Sequence, residues 1–299
     1  MSALPAEAAG TWRLGDLEVR RLGLGTMRLT GTKPFHRGEP RDRSTSIAVL
    51  RRAVELGVNH IDTAGFYFSR LLAAPELVNS ALSPYPDDLV IATKVGPRRS
   101  AAGDWLAPAE PGDLRGEVEA NLRQLGRDHL DLVNLRVMKE GSLADHLGVL
   151  IELREAGLIR QIGVSGVTVE QFEEAVRMTD IVCVQNRFGV DNGPEGTSEL
   201  LDLCGEHGLA FVPFFAVAGR GGPTGATTEP DEVRDIAEAH AATPAQVRLA
   251  WTLALGPHVL AIPGTGDPVH LEANVAAAAI RLREDEVTRL AEVTSGAAR

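Results

Sequence analysis

The feature that most constrains this chain is a rhythm. Eight short apolar runs, each about a strand long, recur at 21–24, 58–61, 89–93, 130–135, 161–164, 181–184, 210–213 and 259–262. Stretches with helical spacing fill the gaps at 44–56, 74–82, 112–125, 144–156, 168–178, 197–207 and 231–255, and 281–292 reads as a last helix on the outside. Near-continuous apolar strands alternating with helices mean a parallel sheet covered on both faces, hence an α/β fold. Eight such units without a linker midway, in 299 residues, predict a (β/α)8 TIM barrel as one domain over 1–299. Trp12 to Val19 reads as a hairpin around Gly15-Asp16, residues 1–10 as a disordered leader, and the end of the chain as extra C-terminal helices. A doubly wound sheet is the alternative. It is weakened because Gly23-x-Gly25 is followed by Arg28 where a third glycine belongs.

Composition narrows the function classes. The formal net charge is −11, from 30 basic and 41 acidic residues. Phosphate backbones need a clustered positive field, so a nucleic-acid partner is not expected. No apolar run approaches the length of a membrane span, and no signal-type leader precedes the first strand. Two isolated cysteines, Cys183 and Cys204, show no metal-ligand spacing, so no metal is expected and a reducing cytoplasm fits.

In a barrel, chemistry belongs at the C-terminal ends of the strands. Asp62, Lys94, Arg136, Ser165, Gln185 and Phe214 close the second to seventh apolar runs. A lysine ending Leu-Val-Ile-Ala-Thr is costly unless a carboxylate satisfies it, and Asp62 is the available partner. Taken alone, that pair is as readily a buried ion pair as a catalytic one. Tyr67 follows Asp62 by five residues. A phenol beside an ammonium is expected to titrate below its ordinary value, which suits a general acid. Phe35, Phe68, Trp105 and Phe188 are candidates for a substrate-pocket wall, and His60 reads as a satisfied core histidine.

The stretch Gly57-Val-Asn-His-Ile-Asp-Thr-Ala, then Tyr67, then Ile91-Ala-Thr-Lys-Val resembles the aldo-keto reductase superfamily. The resemblance runs from Leu22-Gly-Leu-Gly-Thr-Met to Ile262-Pro-Gly-Thr and beyond. The segments Leu130-Asp-Leu-Val-Asn-Leu-Arg-Val-Met, Ile181-Val-Cys-Val-Gln-Asn and Val212-Pro-Phe-Phe are most like its bacterial pyridoxal reductase (pyridoxine 4-dehydrogenase) branch. The resemblance implies reduction of a small-molecule aldehyde or ketone with NADP(H), NAD(H) being the alternative. Asp62, Tyr67 and Lys94 would be catalytic, with Tyr67 as proton donor. Gly25, Thr26 and Met27 would bind the cofactor, Ser165 and Gln185 would bond its carboxamide, and Phe214 would stack on the nicotinamide ring. Gly219, Arg220 and Gly221 would follow the pyrophosphate. Ile262, Gly264, Thr265, His270, Glu272 and Asn274 would cover the adenosine and its 2′-phosphate.

Four departures stand out. Arg136 replaces the usual catalytic histidine; it cannot shuttle a proton but can stabilise an oxyanion. Gly166 replaces an asparagine, so one carboxamide contact is lost. His270 stands where relatives carry a phosphate-binding arginine. Phe68 follows Tyr67 where glycine is common. Two other functions therefore stay open: a redox-sensing barrel with slow turnover, and a Schiff-base aldolase using Lys94.

Overall fold

The computed structural model describes residues 4–33, 38–191, 196–218 and 229–297. Strands β1 (Thr11–Leu14) and β2 (Leu17–Arg20) pair as the antiparallel hairpin expected around Gly15-Asp16. Strands β3 (Leu24–Gly25), β4 (His60–Asp62), β5 (Val90–Val95), β6 (Leu130–Arg136), β7 (Ile159–Ser165), β8 (Cys183–Gln185) and β9 (Ala210–Phe211) form one parallel sheet in that order. The eighth apolar run forms no continuous strand. It closes the cylinder through single bridges, Phe211 to Val259, Leu22 to Ala261 and Gly25 to Gly264.

Helices α1 (Arg43–Glu55), α2 (Ala74–Leu82), α3 (Leu114–Leu125), α4 (Ala144–Glu155), α5 (Val169–Met178) and α6 (Thr197–Glu206) follow successive strands of the sheet. The stretch read as one helix over 231–255 is two, α7 (Asp231–Ala239) and α8 (Pro244–Ala254). Ala241 takes a positive φ between them, and the Thr243 hydroxyl then caps α8 by accepting from Gln246 N–H. Helices α9 (Pro268–Ala276) and α10 (Glu284–Ala297) complete the chain. Among the described residues no helix is long and apolar enough to cross a membrane. Of the leader expected to be disordered, residues 1–3 lie outside the described residues, and the expectation is corrected for 5–9. Pro5–Ala9 forms a 3-10 turn whose Ala6 and Ala9 are buried, with Ala6 N–H donating to Leu56 O at 3.0 Å.

Alternation along the strands sorts the side chains into two cores. Ile61, Ile91, Val133, Leu135, Ile162, Val164 and Phe211 face the helices. Val90, Ala92, Leu132, Ala210, Val212 and Leu260 face the barrel axis, where Leu14, Leu17 and Val19 of the hairpin pack against them. The hairpin plugs the lower end, and the same inward parity opens at the upper end. There it carries Asp62, Lys94, Arg136, Ser165, Gln185 and Phe214.

One buried cation ties the outer structure together. Arg248 on α8 donates to Asp191 Oδ1 at 2.7 Å, Glu229 Oε1 at 2.6 Å and Val190 O at 3.2 Å. It thereby joins the connection after β8 to the start of α7.

Candidate active site

The strand ends line a cavity of about 450 Å³. Its floor is a buried hydrogen-bonded chain. Lys94 Nζ donates to Asp62 Oδ1 at 2.6 Å and to Thr63 O at 3.0 Å. Gln185 Nε2 donates to the other carboxylate oxygen of Asp62 at 2.8 Å. All three side chains are nearly inaccessible to water. Lys94 Nζ also lies 5.0 Å from the centre of the Tyr67 ring, close enough for its charge to act on the phenol. Both oxygens of Asp62 are therefore committed, and two of the three ammonium N–H donors are taken.

The titration of this chain departs from the expectation in one respect. Burial pushes the Tyr67 phenol above its ordinary value, and the neighbouring Lys94 ammonium only partly offsets it. Depth outweighs the adjacent charge. For Lys94, burial pulls downward, but Asp62 and Tyr67 together hold it above the ordinary lysine value. Beneath them, burial drives the His60 imidazole down to about 4. Its Nδ1 has no hydrogen-bond partner, so this core histidine is neutral and incompletely satisfied.

Arg136 forms the opposite wall. Nη1 donates to Ser165 Oγ at 3.1 Å, and Cζ lies 4.7 Å from the centre of the Phe214 ring. No carboxylate lies within ion-pair distance among the described residues; burial lowers the guanidinium, and the neighbouring Tyr67 only partly opposes it. The space it occupies depends on Gly166, discussed below. Phe214 thus presents one ring face to Arg136 and stands edge-on to Phe215, 5.1 Å between centres.

The cavity wall brings together Gly25, Met27, Asp62, Tyr67, Lys94, Trp105, Arg136, Ser165, Gln185, Phe214, Ile262 and Gly264. The other described candidates lie outside the lining. Phe188 is buried between Trp251 and Phe211, at 5.9 and 6.0 Å, in the helix-facing core rather than the pocket. Phe68 lies under Arg99, 4.6 Å away, outside the lining. Thr26 is fully buried, its hydroxyl donating to Asp62 O at 3.0 Å. Thr265 turns its hydroxyl to Asp267 N–H at 3.0 Å. Glu272 pairs with Arg52 of α1 at 2.8 Å, and Asn274 is buried. His270 is exposed at the start of α9. Phe35, Gly219, Arg220 and Gly221 lie outside the described residues.

Phe66 and Met138 line the cavity and were not anticipated. Met138 follows Asn134 and Arg136 at a spacing of two, so strand parity continued past the strand end would have found it. Phe66 precedes Tyr67 and stacks edge-on to it at 5.0 Å, which no spacing rule marks.

Comparison with known proteins agrees with this geometry. The model of the aldo/keto reductase family matches residues 21–295. The chain is 42% identical to the pyridoxine 4-dehydrogenase of Escherichia coli over 95% of its own length and 98% of that protein. A thermostable aldo-keto reductase solved with the inhibitor epalrestat superposes with a TM-score of 0.79 at 30% identity, covering 95% of this chain and 99% of that one. A Klebsiella pneumoniae aldo-keto reductase solved with NADPH superposes with a TM-score of 0.76 at 27% identity, covering 95% and 94%. This chain belongs to the aldo/keto reductase family, whose chemistry is NADP(H)-dependent carbonyl reduction, and is an oxidoreductase.

Proposed function

We propose that the protein reduces a polar ring aldehyde of the pyridoxal type to its alcohol, with NADPH as reductant and Tyr67 as proton donor. One observation carries this reading. The buried chain Gln185–Asp62–Lys94–Tyr67 opens into a cavity opposite Arg136, a guanidinium without a carboxylate partner among the described residues. The likeness to the Escherichia coli pyridoxine 4-dehydrogenase supports the ring-aldehyde class.

The residues fit the cofactor. Gln185 Oε1 is buried in the cavity lining and has no hydrogen-bond partner, which leaves an acceptor for a carboxamide N–H. NADPH, when bound, supplies the hydride that reaches the carbonyl carbon.

The protein's part is the proton and the charge. Tyr67, held protonated through neutral pH by its burial, gives its Oη proton to the carbonyl oxygen as that oxygen gains charge. The phenolate left behind faces Lys94, whose ammonium Asp62 and Thr63 O hold in place. Arg136 adds a second fixed cation, with four of its five N–H donors not committed to Ser165. A ring hydroxyl beside the aldehyde would accept from those donors. Simple aldehydes offer them the carbonyl oxygen alone.

The aldolase alternative loses its chemistry here. A Schiff-base lysine must be neutral to attack, and Asp62 and Tyr67 keep Lys94 charged.

The test compares NADPH consumption with pyridoxal, salicylaldehyde and benzaldehyde. The two hydroxylated aldehydes should be preferred in kcat/KM by roughly tenfold or more, the worth of one charge-assisted hydrogen bond. Equal values for salicylaldehyde and benzaldehyde would remove the ring hydroxyl from the reading. Binding of NADPH without turnover of any aldehyde would favour the redox-sensing barrel.

A further inference from the structure

Beyond the catalytic floor, the cavity lining runs outward along Gly25, Arg28 and Gly264. Just past its edge lies a second arginine. Arg41, in the connection before α1, donates from Nε to Arg28 O at 2.8 Å. Its side chain lies flat across Gly266: a Cβ there would stand 2.2 Å from Nε, 2.4 Å from Cδ and 2.7 Å from Cζ. Only a residue without a side chain lets the guanidinium rest on that backbone.

The two arginines stand close enough for each to feel the other's charge, and both are half-buried. Neither forms an ion pair among the described residues. Arg41 acts on the Asp267 carboxylate, but Asp267 Oδ1 accepts from Val269 N–H at 2.8 Å and His270 N–H at 3.4 Å, capping α9. Two neighbouring cations without a matching anion, in a chain of net charge −11, form an arrangement that an anionic ligand completes.

We propose that Arg41 is the principal ligand of the 2′-phosphate of NADP(H), with Arg28 beside it, in place of the exposed His270. This rests on the reading that the dinucleotide lies along this limb with its reacting ring at Tyr67. The nucleotide then has its phosphates where the limb passes Arg28, and its outermost phosphate monoester reaches the guanidinium lying on Gly266. A planar fork suits that group, offering two parallel N–H donors to two phosphate oxygens.

The experiment titrates NADPH and NADH into wild type, Arg41→Met and Arg41→Lys, following tryptophan fluorescence, with melting curves to show that each variant is folded. Arg41→Met should weaken NADPH by about 10- to 100-fold, the worth of a charge-assisted hydrogen bond or two, and change NADH less than about twofold. Arg41→Lys should recover part of the loss. Gly266→Ala, whose added methyl displaces the guanidinium without removing its charge, should weaken NADPH selectively as well. Unchanged NADPH affinity in Arg41→Met overturns the proposal, and so does an equal loss for both nucleotides. If wild type binds neither nucleotide, the cofactor reading itself falls; if wild type binds NADPH and Arg41→Met binds it equally well, only Arg41 is wrongly assigned.

Discussion

A Cβ on Gly166 would stand 2.7 Å from Arg136 Nη1 and 2.9 Å from its Cζ. Two of the chain's departures from its family, a histidine become arginine and an asparagine become glycine, therefore meet at one point. The residue that lacks a side chain leaves room for the one that is longer, and its φ of +70° is the left-handed region that favours glycine.

Gly166→Ala should accordingly act twice. Left-handed backbone on a residue with a Cβ should cost about 1–2 kcal/mol of stability, read as a lowered Tm. The displaced guanidinium should lose Ser165, and kcat/KM should fall more for hydroxylated aldehydes than for benzaldehyde. Gly166→Asn tolerates the backbone better and should separate the two effects, keeping Tm while still disturbing Arg136.

Removal of the phenol is the plainest check on the proton. Tyr67→Phe should lower steady-state reduction by roughly 10²–10⁴-fold while NADPH affinity stays within about twofold. In wild type the Tyr67 phenol titrates above the ordinary tyrosine value, so reduction should hold level through neutral pH and fall only at strongly alkaline pH. Alcohol oxidation needs the phenolate and should rise over the same alkaline range. A reduction rate falling already between pH 7 and 8 would place another group in that role.

Arg136→Met keeps length and removes charge. Loss of an oxyanion donor predicts a drop in kcat of roughly 10²–10³-fold. Arg136→His should restore part of it and raise activity toward simple aldehydes relative to polar ones. Full kcat with only a lowered Tm would make the arginine structural.

The strand ends were legible because strand parity is rigid. Once Leu132 faces inward, Asn134 and Arg136 must, and the register of Lys94 with Asn134 and of Arg136 with Ser165 brings the neighbouring strands to the same height. Phe188 was misread because the same parity was not carried past the end of β8. Counted on from inward Gln185, it puts position 188 on the helix-facing side, against Trp251. The direction of the Tyr67 shift was hidden because it is a difference between burial and charge, and the depth of a side chain is a property of the whole barrel. Arg41 was invisible to spacing altogether: its partner surface, Gly266, comes from the opposite end of the chain.

His60 gives an acid-side prediction. The unfolded imidazole takes up a proton near 6.5, the folded one only near 4. Between those values the unfolded state binds more protons, so stability rises with pH and is lost as pH falls through that window. The full effect is on the order of 3 kcal/mol. Urea unfolding at pH 4, 5, 6 and 7 should show this slope, and His60→Asn should flatten it. An unchanged slope in the variant would assign the acid sensitivity elsewhere.

Arg248→Met should be among the most destabilising single changes, because it deprives Asp191, whose side chain is 3% exposed, of its guanidinium. Breaking one side of a buried pair costs about 3–5 kcal/mol. A Tm within a degree or two of wild type would show that the connection after β8 is held by other contacts.

The single bridges that close the cylinder carry a consequence for its motions. Between β5, β6 and β7 the ladders are continuous, whereas the junction of β9 with β3 is stitched at Phe211–Val259, Leu22–Ala261 and Gly25–Gly264. Backbone amides along 259–264 should then exchange with solvent faster than those of 130–136, since fewer neighbouring bonds must open together. The last of these stitches, Gly25 to Gly264, borders the limb on which the dinucleotide is placed. A ligand lying there works as a staple across the slit tube. Its binding energy acts where the wall has no continuous ladder, so saturation with nucleotide should slow exchange at 259–264 and leave 130–136 as it was.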